Sequence, residues 1–137
     1  MIARVAVALA LALAAGDALA RDLVRGQAVY VEHCAACHGA RLEGQPDWQV
    51  RGPDGLLPAP PHDASGHTWH HGDDTLLRIV RDGMAALVPG YRTTMPAFAG
   101  VLSDAEIRDV LAWIRSTWPP RLQAIQAEIT ARERARR

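Results

Sequence analysis

A short helix is predicted from about Asp22 to His33. Leu23, Gly26 and Tyr30 recur there at i, i+3 and i+7, which places them on one face of a helix. Two further segments with helical spacing follow later in the chain, and no segment shows the alternation that is typical of a strand. The pattern therefore predicts an all-α fold with about three main helices.

The second helix is predicted from Asp73 or Asp74 to about Asp82. An aspartate can cap its start, and Gly83 suits its exit. An apolar stripe at helical spacing would face the protein interior. The stripe consists of Leu76, Ile79 and Val80.

The third helix has the clearest signals at its start. The segment Ser103–Glu106 has a capping-box pattern, and Leu102 with Ile107 can form the accompanying hydrophobic staple. The pair Pro119–Pro120 ends the helix. The predicted buried face consists of Ile107, Val110, Leu111, Ile114 and Trp118.

Long loops are predicted between the first two helices. Residues 39–72 contain five prolines and several glycines, which exclude long regular elements. A structureless stretch of this length normally counts against a compact domain. A chain that wraps around a large bound group, however, packs on that group instead of on itself.

The tail, residues 121–137, has helical composition but only a weak apolar stripe. Its last residues are mostly charged. A solvated, partly frayed helical extension is favoured there over an arm that docks to a partner.

The run Cys34-Ala35-Ala36-Cys37-His38 points to a specific cofactor. Two thiols at this spacing can form thioethers to the vinyl groups of a haem, and the next histidine can bind the iron. A zinc site would need a second ligand pair, but the chain has no other cysteine. A redox dithiol would need a βαβ pattern, and none is visible. The motif predicts one covalent haem c, attached to Cys34 and Cys37, with His38 on the iron.

Residues 1–20 have the three parts of a cleavable secretory signal. Arg4 gives a basic start, an apolar run of about eleven residues extends from Val5 to Ala15, and Ala18–Ala20 gives small residues. A retained membrane anchor is the alternative, but a span needs about 20 apolar residues. We expect cleavage near Ala20, a periplasmic location and no transmembrane anchor in the mature chain.

About 117 residues would remain after cleavage, enough for one domain (residues 21–120) and the tail. All 15 basic residues are Arg, and the formal net charge is zero. Residues 22–120 have eight Arg against twelve Asp and Glu, or minus four, whereas residues 121–137 have five Arg against two Glu, or plus three. A nucleic-acid partner is excluded because it would need a basic domain. A partner protein with a basic patch is compatible with this charge.

A second axial ligand is expected if the iron only carries electrons, and methionine or histidine would supply it. Met95 is favoured, because Pro96 restricts it to an extended conformation that can project its side chain from a loop. Met84 follows a predicted helix end, where packing is the plainer interpretation. An open site and a histidine stay as alternatives; the histidines are His62, His67, His70 and His71.

From about Asp22 to Pro120 the chain resembles the small monohaem class I cytochromes c of bacteria. The haem motif and the Met-Pro segment are specific to this resemblance, whereas the helices alone would not be. The matching segments are Gly26 and Tyr30, Cys34 to Gly39, Met95 to Phe98, and Leu102 to Trp118.

The resemblance implies thioether bonds at Cys34 and Cys37, with His38 as the proximal ligand and Met95 as the distal one. It also implies that the first and last helices cross closely at Gly26, with Trp113 packed nearby. The chain has no lysine, so the lysine ring by which better-known eukaryotic carriers dock does not carry over.

Four histidines and Asp63 fall within residues 62–71. Hydrogen bonds to the haem propionates from one or two of these histidines, together with Trp69, or structural roles are favoured. Plain surface positions and a second copper or zinc site are the alternatives. Because histidine titrates near neutral pH, this loop could also make the reduction potential pH-dependent.

The leading functional hypothesis is a periplasmic one-electron carrier that is not itself an enzyme. It would act as a monomer or in transient complexes, between redox partner proteins. A haem-bearing subunit of a larger dehydrogenase or oxidase is one alternative. A haem sensor or peroxidase in which Met95 dissociates is another.

Overall fold

The computed structural model describes residues 20–137, so the predicted secretory signal lies outside the described residues except for Ala20. Two single-turn 3₁₀ helices, Thr68–His70 and Met84–Ala86, lie on either side of residues 73–82 in the sequence. No strand occurs within residues 20–137, and the all-α prediction is confirmed. The α-helices are α1 (residues 20–33), α2 (Ala35–His38), α3 (Asp73–Asp82), α4 (Asp104–Ser116) and α5 (Pro120–Ala135).

α1 and α4 cross with almost no space between their backbones at Gly26. A Cβ atom at this position would collide with the main-chain carbonyl of Asp109 and lie 2.9 Å from the Cβ of Trp113. One turn further along α1, the ring of Tyr30 lies 4.9 Å from the Trp113 ring. The predicted close crossing at Gly26, with Trp113 packed beside it, is confirmed.

An ion pair accompanies this crossing. Asp109 is 8% exposed on α4, and its carboxylate accepts a hydrogen bond of 2.5 Å from Nε of Arg25 on α1. A carboxylate that is so far buried needs such a partner. The pair therefore allows an acidic residue to lie on an otherwise apolar helix face.

The hydrophobic core is formed by α4 against α1, α3 and the loops. The capping box of α4 is present: Ser103 Oγ accepts from the Glu106 N–H at 3.2 Å, and the Glu106 carboxylate accepts from the Ser103 N–H at 2.8 Å. α3 buries Leu77 as well as Leu76, because it packs against both α4 and α5. The core residues are Val29, Tyr30, Leu42, Leu77, Phe98, Leu102, Ile107, Val110, Ile114 and Trp118.

α5 packs against α3 and the turn Thr68–His70, so the segment that was expected to be partly frayed is an ordered helix. Its contact face is polar, with Gln126 only 1% and Thr130 only 5% exposed. A buried face of this kind gives a weak apolar stripe, which explains why the sequence pattern there is faint.

The buried polar side chains of α5 cap the start of α3. The residue before α3, Gly72, has no side chain to do so. Thr130 Oγ1 accepts from the Asp73 N–H at 3.1 Å, and Gln126 Nε2 donates to the Asp73 carboxylate at 2.8 Å. Thr75 donates its hydroxyl to Glu133 at 2.5 Å. α5 therefore supplies the N-terminal cap that α3 lacks.

We expect Gly26→Ala to destabilise the folded protein by about 1–3 kcal/mol, because the added methyl group must push the two helix backbones apart. Denaturant unfolding of the haem-loaded protein measures this. Gln27→Ala, at an exposed position of the same helix, is the matched control and should change stability by no more than about 0.5 kcal/mol. Equal effects of the two substitutions would contradict the close crossing.

We expect Thr130→Val to cost about 1–3 kcal/mol, because it leaves the partly buried N–H of Asp73 without an acceptor while preserving the side-chain shape. The control is Arg132→Ala, which removes an exposed ion pair on the same helix and should cost at most about 1 kcal/mol. Thermal and denaturant unfolding measure both. A Thr130→Val protein as stable as the parent would show that α5 does not cap α3.

Candidate haem site

The cysteine motif forms a helical turn that continues the direction of α1. The N–H of Cys34 donates to the carbonyl of Tyr30 at 2.9 Å, and α2 then follows as a single turn that ends at His38. Both cysteines are free; Cys34 is half-buried and Cys37 is exposed. Burial, and secondarily the neighbouring Cys37, raises the pKa of the Cys34 thiol to about 11. The two thiols, three residues apart, therefore lie on one side of this turn.

His38 is buried, and a hydrogen bond to a main-chain oxygen fixes the orientation of its ring. Nδ1 lies 2.8 Å from the carbonyl oxygen of Pro60. Because a carbonyl can only accept, Nδ1 carries the proton, and the neutral ring has its lone pair on Nε2. Burial lowers the pKa of His38, although the bond to Pro60 opposes this effect. The arrangement presents a neutral imidazole nitrogen that can bind a metal.

The carbonyl of Pro60 is held in place by paired hydrogen bonds between two parts of the long loop. The Gln45 N–H donates to the Ala59 carbonyl at 2.9 Å, and the Ala59 N–H donates to Oε1 of Gln45 at 2.8 Å. The N–H of Gly44 donates to the carbonyl of His38 at 2.7 Å. These bonds connect the residues after the cysteine motif with the residues around Pro60.

Gly44 is required for this approach. It has a φ of +67°, and a Cβ atom there would lie 2.7 Å from the Pro60 carbonyl carbon and still closer to the nitrogen of Pro61. Only glycine combines this conformation with so little space. The sequence carries no signal for the roles of Pro60 and Gln45 in this loop, because main-chain and amide hydrogen bonds leave no periodic pattern.

Met95 lies in a segment that is attached to the end of α3. The Phe98 N–H donates to the Val80 carbonyl at 3.0 Å, and the Ala99 N–H donates to the Arg81 carbonyl at 2.9 Å. Met95 is half-buried and, like Cys34, packs against the hydrophobic core. Met84 is also half-buried, in the 3₁₀ turn that follows α3.

The four histidines of residues 62–71 make separate contacts, except that His67 and His71 meet edge to face with ring centroids 5.6 Å apart. His62 stacks on His38, and His67 stacks on the ring of Trp48 at 5.3 Å. His70 lies against Trp69, with ring centroids 3.8 Å apart. Within residues 20–137, no three side chains of His, Cys, Asp or Glu converge as they would to hold a metal ion. The alternative of a second metal site therefore has no support in this part of the chain.

Trp69 provides a test of whether the site fits a haem. Its indole Nε1 is buried and has no hydrogen-bond partner in the part of the chain that the structure describes. Buried donors are normally satisfied, so this N–H requires an acceptor. A haem propionate is such an acceptor. Together with two free thiols and the available Nε2 of His38, the indole makes the residues present fit a covalently bound haem.

The chain belongs to the cytochrome c family. Residues 21–114 match the family described as "Cytochrome C oxidase, cbb3-type, subunit III". Together with the helical fold, this match and the similarity to cytochromes c6 identify a small class I cytochrome c, and covalently bound haem c is the cofactor of that family.

Three curated relatives illustrate the range of proteins that share this domain. The chain is 34% identical over 126 residues to the gluconate 2-dehydrogenase cytochrome c subunit of Pantoea cypripedii, covering 82% of this chain and 23% of that protein. It is 32% identical over 99 residues to the cbb3-type cytochrome c oxidase subunit CcoP of Azospirillum sp. (strain B510), covering 71% and 29%. It is 30% identical over 97 residues to cytochrome c6 of Synechocystis sp., covering 71% and 67%.

The chain thus spans less than a third of the length of the first two relatives and about two thirds of cytochrome c6. No solved structure matches the chain. Among residues 20–137, none of the helices has the length and apolar character needed to span a bilayer.

We expect the free energy of unfolding to fall as the pH is lowered from about 6.5 to about 5. Burial, and then the nearby His38 and His67, lowers the pKa of His62 to about 3; burial also lowers the pKa values of His67 and His71. In this range the unfolded chain binds protons that the folded protein does not. His62, which has the largest of these shifts, contributes a slope of up to about 1.4 kcal/mol per pH unit.

The carboxylates with lowered pKa values do not contribute to this slope. The pKa values of Glu43, Asp82 and Glu106 are lowered by hydrogen bonds, so their contribution is lost only below the unfolded values of about 4 to 4.5. Denaturant unfolding across the pH range gives the slope, and His62→Phe should reduce it. A stability that does not change between about pH 6.5 and 5 would contradict the prediction.

Proposed function

We propose that the protein is a periplasmic one-electron carrier in which Cys34 and Cys37 attach haem c, His38 binds the iron on one side and Met95 binds it on the other. The observation that carries the proposal is the buried His38 ring, whose Nδ1–H is committed to Pro60. Its Nε2 is therefore the nitrogen available to the iron.

When bound, the haem supplies a one-electron redox centre. The residues of the chain orient and enclose it. Pro60 holds His38 as a neutral imidazole in one rotation, and the core beside Cys34 and Met95 excludes water from one side of the site. A thioether ligand raises the reduction potential relative to a second histidine. With His38 and Met95 both bound, the iron would have no position free for a substrate.

The partners of the carrier are proposed to be other redox proteins in the periplasm. The segment of residues 1–20 has the pattern of an export signal. Residues 22–120 have a net charge of minus four before any haem propionate is added. This charge favours transient docking to a basic surface on the donor or the acceptor.

A second candidate function is that of a haem-bearing subunit in a larger oxidoreductase. The relatives favour it, since two of them are named as subunits of gluconate 2-dehydrogenase and of cbb3-type oxidase. The role of the domain would be the same one-electron transfer. The partner would then be permanent, and the protein would purify with it at a fixed ratio.

We expect carbon monoxide to leave the spectrum of the reduced parent protein unchanged and to bind the reduced Met95→Ala protein promptly. The substitution removes the ligand that closes one side of the iron, and an open position on ferrous haem accepts small molecules. The reduction potential of the variant should also fall, because a thioether ligand raises it.

The control is Met84→Ala, which removes the other methionine of the described residues and should behave as the parent does. Carbon monoxide binding by Met84→Ala and not by Met95→Ala would transfer the ligand assignment to Met84. Prompt, tight binding by the parent protein would favour the sensor or peroxidase alternative over an electron carrier.

A further inference from the structure

His62 lies directly against the face of His38. The two ring centroids are 4.0 Å apart, and the ring planes are inclined by only 27°. The edge of the Tyr30 ring approaches His62 from another direction, at 6.4 Å. His38 is therefore held at two points, by Pro60 at its Nδ1 and by the ring of His62 on its face.

His62 is itself fixed by hydrogen bonds at three of its atoms. Its N–H donates to the carbonyl of Leu42 at 2.8 Å, and its carbonyl accepts from the indole N–H of Trp118 at 2.7 Å. Its Nδ1 shares a hydrogen bond of 2.7 Å with the hydroxyl of Thr68. Trp118 and Thr68 are 3% and 7% exposed, so the anchors of His62 lie in the interior.

Leu42 shows that the backbone accommodates this arrangement at some cost. It is a buried leucine with a φ of +68°, a conformation that L-residues other than asparagine and aspartate rarely adopt. Its carbonyl accepts from the N–H groups of His62 and Asp63. The strain is thus located where the chain after the cysteine motif holds His62.

Simple filling of space does not account for a histidine here. A leucine would occupy a similar volume at this half-buried position without a ring nitrogen that needs a polar partner. What the imidazole adds is a flat surface of the same shape as the His38 ring, in a rotation that the Thr68 hydroxyl determines. Both properties act on the orientation of the neighbouring ring.

We propose that His62 is a positioning residue that sets the rotation of the His38 ring about its bond to the iron, through ring stacking and the hydrogen bond to Thr68. The inference rests on the proposed function, in which His38 binds the iron. Outer contacts that orient a metal-bound histidine are known to tune the metal. His62 connects this ligand to the turn after α4 through Trp118, whereas Pro60 connects it to the long loop.

The test compares the ferric haem-loaded proteins by paramagnetic proton NMR and by electron paramagnetic resonance. The pattern of the haem methyl shifts and the g anisotropy both respond to the orientation of an axial imidazole plane. The variants are His62→Leu, which removes the ring, His62→Phe, which retains a flat ring without the hydrogen bond, and Thr68→Val, which removes the hydroxyl alone. The control is His67→Phe, in which the altered ring stacks on Trp48 instead.

We expect all three variants to change the methyl shift pattern and the g values, with the largest change in His62→Leu, and the control to reproduce the parent spectrum. The reduction potential should change in the same order. If His62→Leu does not load haem, Thr68→Val decides the matter, since it leaves every ring in place. A parent-like pattern in Thr68→Val and in whichever His62 variants load haem would overturn the inference.

The parent protein separates this outcome from a failure of the proposed function. A parent spectrum without the low-spin signature of a histidine-ligated haem would overturn both proposals. A parent spectrum with that signature, together with unchanged variants, would leave the proposed function intact and remove only the role of His62.

Discussion

The hydrogen bond between Nδ1 of His38 and the carbonyl of Pro60 is the contact on which the candidate site depends. It decides which ring nitrogen carries the proton, and so which one can bind a metal. Pro60 reaches this position because Gly44 allows the two parts of the loop to approach. Gln45 then forms two hydrogen bonds with Ala59, one through its main-chain N–H and one through its side-chain Oε1. The irregular residues between α2 and α3 are therefore an ordered support for one side of the site.

The segment that contains Met95, the proposed second ligand, depends on a different set of contacts. The Met95 segment is bonded to carbonyls at the end of α3, and the start of α3 is capped by Thr130 and other side chains of α5. The C-terminal helix α5 thus supports the Met95 segment indirectly, through α3. His38 is connected to the long loop and, through His62, to Trp118 after α4, whereas Met95 is connected to α3 and, through α3, to α5. Two separate parts of the framework hold the two proposed ligands.

The sequence was sufficient for the features that have a periodic or motif-based signal. It predicted α3 and α4 to within two residues at each end, the capping box at Ser103 and the crossing at Gly26. It underestimated α5, because the buried face of that helix is made of Gln126 and Thr130, which hydropathy patterns count as exposed. The assignments of Cys34, Cys37, His38 and Met95 rest on the motif and on the family resemblance, and they stay predictions.

The contacts around His38 could not be predicted from the sequence, for a related reason. The oxygen of Pro60 belongs to the main chain, and every residue has such an oxygen, so no residue type marks it. His62 was visible only as one of several histidines in a loop, and its spacing from His38 indicates nothing about stacking. The long-range closure of the loop determines both contacts, and that closure depends on a glycine and an amide with no repeating pattern.

Main-chain support for His38 also determines where pH can act on this protein. The carbonyl of Pro60 has no titratable proton, so the hydrogen bond that fixes the ring does not weaken as the pH changes. Burial instead lowers the pKa values of three histidines in residues 62–71, which are His62, His67 and His71. Protonation of these residues favours the unfolded chain. These histidines can therefore make the reduction potential depend on pH, while the tautomer of His38 stays constant.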